Sequence, residues 1–243
     1  REDSIKQSLF MKVLAENLFI KDSAMILGGI YSFDLSKDDS LFYNTAFLLS
    51  QPNHMQLRHK SRLVPGVEKM PFQNYFGILK KLNLDFGGFT GSLETDAEAV
   101  NFISSSGTFS VAPVICYESV YGNYVSEFVR KGATIIAVIT NDAWWGDTPG
   151  YYQHLMHSRI RAIENRRNII RAANTGISCH INSKGDIVSQ LPPYTETVLS
   201  GEAFQNNAMS FYTRNGDYIG KFSCAFSVLT IILLVFMAIR GKK

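Results

Sequence analysis

Cysteine is scarce in this sequence of 243 residues, and so is an excess of charge of either sign. The three cysteines, Cys116, Cys179 and Cys224, form no Cys-x-x-Cys pair and stand at no spacing from histidine that suits zinc. We therefore expect neither a disulfide framework nor a structural metal. The 24 basic and 21 acidic residues leave a net charge of +3 without a basic stripe between aromatics, so nucleic acid is not an expected partner.

Internal repeats, low-complexity segments and a second region of distinct composition are missing as well. A hydrophobic fraction of 46% over 243 residues is enough for one substantial core. We predict one globular domain over residues 1–220 and a short appendage over residues 221–243. No signal peptide precedes the domain, and the chain opens on Arg-Glu-Asp-Ser, so we expect that the N-terminus has been cut.

The appendage contains a long apolar run. Residues 222–239 carry no charge, and basic residues flank them on both sides: Lys221, Arg240, Lys242 and Lys243. This pattern predicts a transmembrane helix. A buried terminal helix is the alternative, but it should have a polar face, and this run has only two serines and a threonine. Because basic flanks favour the cytoplasm, the tail predicts a cytoplasmic C-terminus and a domain on the opposite face of the membrane.

Apolar periodicity predicts an α/β protein. Helical spacing predicts helices over 7–20, 72–82, 119–132 and 151–168. Apolar or alternating runs predict strands over 24–33, 42–50, 54–60, 108–116, 133–140, 169–182 and 186–191. Gln-Pro-Asn between the second and third strands indicates a hairpin, and the strand-helix-strand unit over 108–140 indicates a parallel pair. Residues 192–220 form a polar connector.

Cys116 lies where an apolar strand is predicted to end and a helix to begin. Unpaired N–H groups at a helix N-terminus favour a thiolate and can hold the oxyanion of a tetrahedral intermediate. A cysteine in this position is nevertheless more often a small packing residue. Lys60, taken alone, is read as an ordinary solvated surface lysine.

The neighbours of these two residues change that interpretation. Cys116-Tyr117-Glu118 resembles the nucleophile turn of the nitrilase superfamily, and the segment Lys60-Ser61-Arg62-Leu63-Val64-Pro65 resembles its catalytic-lysine segment. The resemblance implies an α-β-β-α sandwich with a Glu-Lys-Cys triad. In that triad Cys116 is the nucleophile and Lys60 is the cation beside the developing oxyanion.

A longer series of motifs resembles the apolipoprotein N-acyltransferase branch of this superfamily. The motifs are Asn141-Asp142-Ala143-Trp144-Trp145-Gly146-Asp147, Gln153-His154, Arg159-Ile160-Arg161-Ala162-Ile163-Glu164 and Asn174-Thr175-Gly176. Glu68 and Glu118 fall where this branch has functionally important glutamates. The resemblance runs from about residue 24 to the end and includes the apolar helix, which soluble nitrilases and amidases lack.

The resemblance implies an acyl transfer at a bacterial inner membrane, with the catalytic domain on the periplasmic side. Cys116 would take an acyl chain from a membrane phospholipid as a thioester and pass it to the N-terminal cysteine amine of a diacylated lipoprotein. No metal or organic cofactor is implied, because the thioester carries the acyl group. Phospholipid, lipoprotein and the lipid bilayer are thus the expected partners.

Apolar side chains that could contact lipid stand in two glycine-containing loops. Adjacent tryptophans point in different directions, so at least one of Trp144 and Trp145 should be exposed, beside acyl chains or as a cap of the core. Phe86 and Phe89 belong either to a lid over the acyl site or to a plain surface loop.

Other polar residues on the helix predicted over 151–168 favour structural roles. His154 and His157 have a metal-compatible spacing but no third ligand nearby in the sequence, and Arg159, Arg161 and Glu164 are expected to form ion pairs. Cys179 and Cys224 are expected to be packing residues.

The base of the triad is the part that the sequence does not supply. In the family it lies in a Pro-Glu motif before the first helix, and Glu2 is the nearest acid, among polar residues. We therefore expect this chain alone to be inactive. Two alternatives stay open: a carbon-nitrogen hydrolase of a small amide or nitrile, and an inactive, membrane-tethered domain that only binds lipoproteins.

Overall fold

A computed structural model of the chain describes residues 5, 8, 12–13, 24–34, 41–51, 54–69 and 93–240. The strands in these residues are β1 (Ile26–Asp34), β2 (Leu41–Gln51), β3 (His54–His59), β4 (Phe102–Ile103), β5 (Ser110–Ile115), β6 (Ile135–Asn141), β7 (Ile169–Asn174), β8 (Cys179–Ile181) and β9 (Ile187–Gln190). The α-helices are α1 (Gly122–Arg130), α2 (Gly150–Asn165), α3 (Phe211–Asn215) and α4 (Tyr218–Arg240). The helix predicted over 72–82 and most of the one over 7–20 lie outside the described residues.

The strands form two sheets. One has the order β1-β2-β3 and is antiparallel, and it contains the predicted hairpin, with Thr45 of β2 opposite His59 of β3. The other has the order β4-β5-β6-β7-β8-β9. Its central strands β5, β6 and β7 are parallel, as the strand-helix-strand pattern predicts, and its outer pairs are antiparallel.

Apolar side chains hold the layers together. Ala46 and Leu48 of β2 pack against Phe102 and Ile115 between the two sheets. The opposite face of the six-stranded sheet meets α1 and α2 in the largest core cluster, which includes the fully buried Phe128. Phe47 and Leu49 alternate with the first pair on β2 and pack on the outer side, against Ile5. The six-stranded sheet is thus covered on both faces, which explains its apolar runs.

The structure differs from the predicted elements where the chain turns sharply. The helix predicted over 119–132 is a 3-10 turn at Cys116–Val120 followed by α1, because Glu118 turns inward and its carboxylate accepts the Ile115 N–H at 2.8 Å. The strand predicted over 169–182 is two antiparallel strands, β7 and β8, with a reversal near Thr175, whose φ is 68°.

The connector and the C-terminal helix also depart from the predicted bounds. The polar connector contains the short helix α3, which ends at Asn215 and is followed by the cap residue Gly216 with a φ of 69°. The Asp217 side chain then accepts the Gly220 N–H at 2.9 Å, so α4 begins at Tyr218, before the predicted boundary at residue 221. The 23 residues of α4 span about 35 Å, longer than the ~30 Å hydrocarbon core of a bilayer. None of the apolar window in α4 is buried against the domain.

Candidate active site

Cys116 follows β5 directly and begins the 3-10 turn. Its φ is +50°, a left-handed conformation that costs a residue with a side chain about 1–3 kcal/mol. Two contacts hold its carbonyl oxygen: the Ser119 hydroxyl donates to it at 2.8 Å, and His154 Nε2 lies 3.1 Å from it. The thiol is free and partly buried. A 3-10 turn, rather than the N-terminus of an α-helix, therefore surrounds this cysteine.

Lys60 lies at the end of β3 and is paired with Glu68. Its Nζ is 2.8 Å from both carboxylate oxygens of Glu68, and the lysine side chain is only 1% exposed. The Val64 N–H at 2.7 Å and the Asn44 amide also donate to Glu68. The interpretation of Lys60 as a solvated surface residue is therefore wrong.

Glu118 links the segment of Lys60 to the segment of Cys116. Its buried carboxylate accepts hydrogen bonds from Arg58, from the Ser61 N–H at 2.6 Å and from the Ile115 N–H at 2.8 Å. Burial opposes the charge of Arg58, but the Glu118 carboxylate outweighs it and raises the pKa of this guanidinium. Ser61 follows Lys60 and Ile115 precedes Cys116, so one carboxylate fixes the spacing between the two segments.

Two cavities meet at Cys116. The first, of about 560 Å³, is largely apolar, and its wall includes Val64, Val67, Cys116, Tyr117, Val120, Trp144 and Trp145. The second, of about 470 Å³, contains the polar groups of the site, among them Tyr31, Asn44, Lys60, Glu68, Cys116, Asn141 and Asn174. Trp144 also borders both cavities. The thiol therefore stands between an apolar and a charged environment.

The tryptophans and Tyr117 are placed at the first cavity. Trp144 and Trp145 are 47% and 48% exposed, which confirms that at least one of them lies outside the core. Tyr117 packs edge-on against Tyr121 with ring centroids 5.4 Å apart. Phe86 and Phe89 lie outside the described residues, so their placement in a lid stays a prediction.

A buried charged network lies next to the 3-10 turn that begins at Cys116. Asp142 Oδ1 is 2.8 Å from His154 Nδ1, and Asp142 Oδ2 accepts from Arg171 at 2.7 Å. Burial raises the pKa of Asp142, but the hydrogen bond from His154 and the charge of Arg171 outweigh it and hold the pKa below the usual value. His157 on α2 has a lowered pKa because of burial first, and then because of the positive charges of Arg161 and His154.

The remaining predicted residues have separate positions. Arg161 and Glu164 form the expected ion pair at 2.8 Å, whereas Arg159 donates to the Gly185 carbonyl instead. Cys179 is fully buried in β8, as expected of a packing residue, and burial raises its pKa to about 11. Cys224 lies on the exposed surface of α4. Glu2 is outside the described residues, so the absence of a triad base stays a prediction.

Several residues of the site are not identified from the sequence. Arg58 looks like a surface residue of an alternating strand, yet it is 1% exposed and binds Glu118. Tyr31 lines the second cavity, where burial and then the charges of Glu68 and Cys116 raise its pKa. Asp142 belongs to the motif at residues 141–147, but nothing in that motif indicates that its carboxylate contacts His154.

Known proteins are similar to this chain in sequence and in fold. The chain is 34% identical over 180 residues to the apolipoprotein N-acyltransferase of Chlorobaculum tepidum, covering 73% of this chain and 34% of that protein. It is 35% identical over 194 residues to the one from Haemophilus influenzae, covering 79% and 36%, and 31% identical over 236 residues to the one from Geobacter metallireducens, covering 97% and 43%. The chain thus spans between a third and a half of these relatives.

Solved structures and a family pattern agree with these relatives. A carbon-nitrogen hydrolase from Helicobacter pylori G27 has a TM-score of 0.58 at 11% identity, covering 80% of this chain and 65% of that one. An amidase from Nesterenkonia sp. has a TM-score of 0.58 at 13% identity, covering 91% and 72%. These similarities confirm the nitrilase-like fold, and the sequence pattern of the carbon-nitrogen hydrolase family matches residues 13–208. The chain belongs to the carbon-nitrogen hydrolase family.

Proposed function

We propose that this chain carries the nucleophile of a lipoprotein N-acyltransferase. The donor is a membrane phospholipid, and the acceptor is the α-amino group of the N-terminal cysteine of a diacylated lipoprotein. One observation carries the proposal: Cys116 borders both a largely apolar cavity and a cavity that contains the buried pair of Lys60 and Glu68. A small amide substrate needs only the cavity with the charged pair, whereas a long acyl chain needs both cavities.

The Cys116 thiolate attacks the ester carbonyl of the phospholipid in the first half-reaction. A C–S bond forms, the oxyanion lies beside the Lys60 ammonium, and the C–O bond to the glycerol breaks as the leaving alkoxide takes up the proton that the Cys116 thiol gave to the base of the triad. A thioester and a lysophospholipid result. Glu68 holds Lys60 in place, so its charge is fixed before the oxyanion develops.

The amine of the lipoprotein attacks the thioester in the second half-reaction. An amide C–N bond forms, the C–S bond breaks with the thiolate as the leaving group, and the amine proton passes to the base of the triad. The two half-reactions share one nucleophile, so the kinetics are ping-pong. The apolar wall with Tyr117, Trp144 and Trp145 holds the acyl chain while the donor is exchanged for the acceptor. The scheme uses no cofactor.

The C-terminal helix places this chemistry at a bilayer. α4 carries no charge between Lys221 and Arg240, and its apolar window is unburied, so residues 221–243 serve as a membrane anchor with a basic cytoplasmic tail, and residues 1–220 are the catalytic domain. In a Gram-negative cell this domain lies on the periplasmic side of the inner membrane. Anchoring confines the site to the surface where both lipid substrates are concentrated.

An acyl-transfer assay in membranes tests the proposal. Protein expressed from the whole gene is incubated with labelled phospholipid and a synthetic diacylated lipopeptide with a free amine. We expect N-acylated lipopeptide from the unaltered protein and at least a ~100-fold loss with Cys116→Ala or Lys60→Met. Free fatty acid without acylated lipopeptide would indicate a hydrolase. Unchanged lipopeptide binding with no product of either kind would indicate a binding-only domain.

A further inference from the structure

Three parallel strands end in a row at the second cavity. β5 ends immediately before Cys116, β6 ends at Asn141, and β7 ends at Asn174. Asn141 and Asn174 lie opposite each other in the pairing of β6 with β7. Because neighbouring strands are about 4.8 Å apart, the two asparagines and the nucleophile share one edge of the sheet. Ligands of open α/β sheets bind outside this carboxyl edge.

The carboxamides of the two asparagines are available to a ligand in this cavity. Both residues line the cavity, and both are exposed. The Asn174 side chain makes no hydrogen bond within the part of the chain that the structure describes, and the Asn141 oxygen accepts the Ala143 N–H at 3.1 Å. A carboxamide has two N–H donors and a carbonyl acceptor. The pair can therefore donate to a ligand and accept from it at the same time.

The charges of the second cavity disfavour a phosphate. Lys60 is the one cation among the described residues that line it, and both oxygens of the Glu68 carboxylate contact the Lys60 ammonium at 2.8 Å. Phosphate groups in proteins are bound by cations that are available to them. The cavity thus suits a neutral polar group. A peptide unit is such a group, and its N–H and carbonyl complement the carboxamides.

Of the two proposed substrates, the acceptor is the one that carries a peptide. Its α-amine has to reach the acyl group on Cys116, and its first peptide carbonyl is attached to the carbon that bears this amine. Trp144 lines both cavities, so an acyl chain on one side of it and a peptide on the other can meet at the thiol. The volume of about 470 Å³ is within the ~300–1,000 Å³ typical of sites for small ligands.

We propose that Asn141 and Asn174 bind the first peptide unit of the acceptor and so orient its α-amine toward the acyl group on Cys116. The carboxamide N–H groups donate to the peptide carbonyl, and a carboxamide oxygen accepts the peptide N–H. This inference rests on the proposed function and assigns the recognition of the acceptor to the second cavity. The acyl chain of the thioester occupies the first, apolar cavity.

Single-turnover kinetics separate the two half-reactions. Protein expressed from the whole gene is loaded with labelled phospholipid and then mixed with a diacylated lipopeptide below saturation. We expect Asn174→Ala to load at the unaltered rate and to discharge about tenfold more slowly, because hydrogen bonds to the peptide are lost. Asn168→Ala is the control, since Asn168 precedes β7 at its opposite end and donates to the Phe204 carbonyl. Slower loading with unchanged discharge would assign the cavity to the donor and overturn the proposal.

A truncated acceptor tests the contact with the peptide itself. S-diacylglyceryl cysteamine keeps the amine and both acyl chains but lacks the peptide unit. The unaltered protein should discharge to the lipopeptide about tenfold faster than to the cysteamine, and Asn174→Ala should lose most of this preference. A merely structural role would slow the reaction with both acceptors equally. An undiminished preference for the lipopeptide in Asn174→Ala would overturn the proposal.

A binding measurement distinguishes this inference from the proposed function. In a Cys116→Ala background no thioester forms, and the affinities for the lipopeptide and the cysteamine are measured in detergent micelles. We expect Asn174→Ala to lower the affinity for the lipopeptide about tenfold and to leave that for the cysteamine unchanged. This result without any thioester in the unaltered protein would refute the proposed function alone. Equal lipopeptide affinities with and without Asn174→Ala would overturn the peptide site alone.

Discussion

At the scale of single residues, the site depends on buried carboxylates that each hold a cation. Arg58 and Glu118 both have side chains with no exposed surface. We predict that Glu118→Gln, which leaves Arg58 charged and unpaired, lowers the free energy of unfolding by about 3–5 kcal/mol, as measured by urea denaturation. Glu98→Gln is the control, because Glu98 pairs with Lys131 on the exposed surface and should have little effect. Equal unfolding midpoints for the two variants would contradict this role.

Asp142 makes stability depend on pH at the acidic end. Its pKa is lowered in the folded state, so the unfolded chain binds the proton more readily. The stabilisation is therefore present above the ordinary aspartate pKa of about 3.9 and is lost as pH falls through the lower folded value. We predict that Asp142→Asn is less stable at neutral pH and loses less stability than the unaltered protein between about pH 5 and pH 2. Parallel stability curves over that range would contradict the prediction.

The sequence identifies Cys116, Lys60, Glu68 and Glu118 through their motifs, but it does not assign their partners. Lys60 and Glu68 are eight residues apart and meet in a turn, whereas the partner of Glu118 is Arg58, sixty positions earlier. Such a pairing depends on how two sheets pack, and no local pattern encodes that. His154 shows the same limit, since its spacing from His157 carries no information about Asp142 or the Cys116 carbonyl.

At the scale of elements, apolar periodicity predicts the strands and helices of the core, and sharp turns account for the errors. The boundary between β7 and β8 is one such turn, and the Asp142 side chain packs against the backbone of Gly176 there. The periodicity of apolar residues in a helix or strand cannot reveal a reversal of chain direction that a side chain distant in sequence stabilises. The 3-10 turn at Cys116–Val120 is the same case, because the inward Glu118 carboxylate shapes it.

The turn at Gly176 gives a prediction for the buried network of Asp142, Arg171 and His154. A Cβ atom on Gly176 would overlap the carboxylate of Asp142, so we predict that Gly176→Ala displaces Asp142 from Arg171 and His154. Thermal unfolding should occur at a clearly lower temperature than in the unaltered protein. A Cβ on Gly107 meets no atom within 4 Å, so Gly107→Ala reports only the strain of its φ of +68°. A smaller loss for Gly176→Ala than for Gly107→Ala would contradict the predicted overlap.

At the scale of the whole molecule, α4 is a helix long and apolar enough to cross a membrane, and we propose that it anchors the domain there. We predict that a chain shortened before Tyr218 leaves the membrane fraction, while the unshortened chain resists extraction by alkaline carbonate and needs detergent. Replacing three apolar residues near the centre of α4 with lysine should have the same effect as the deletion, because buried charges are costly in lipid. Replacement by leucine is the control. Retention of the shortened chain in membranes would contradict an anchoring role.

The central claim is that Cys116 carries an acyl chain between two lipids. The most direct measurement is the mass of the peptide that contains Cys116. The protein is expressed from the whole gene, purified from membranes and digested to give this peptide. The account predicts a fatty-acyl adduct on Cys116 that is absent in Cys116→Ser. Because the adduct is a thioester, neutral hydroxylamine should remove it, and a diacylated lipopeptide with a free amine should discharge it. An unmodified Cys116 in the presence of phospholipid, with lipopeptide acylation undiminished in Cys116→Ala, would contradict it.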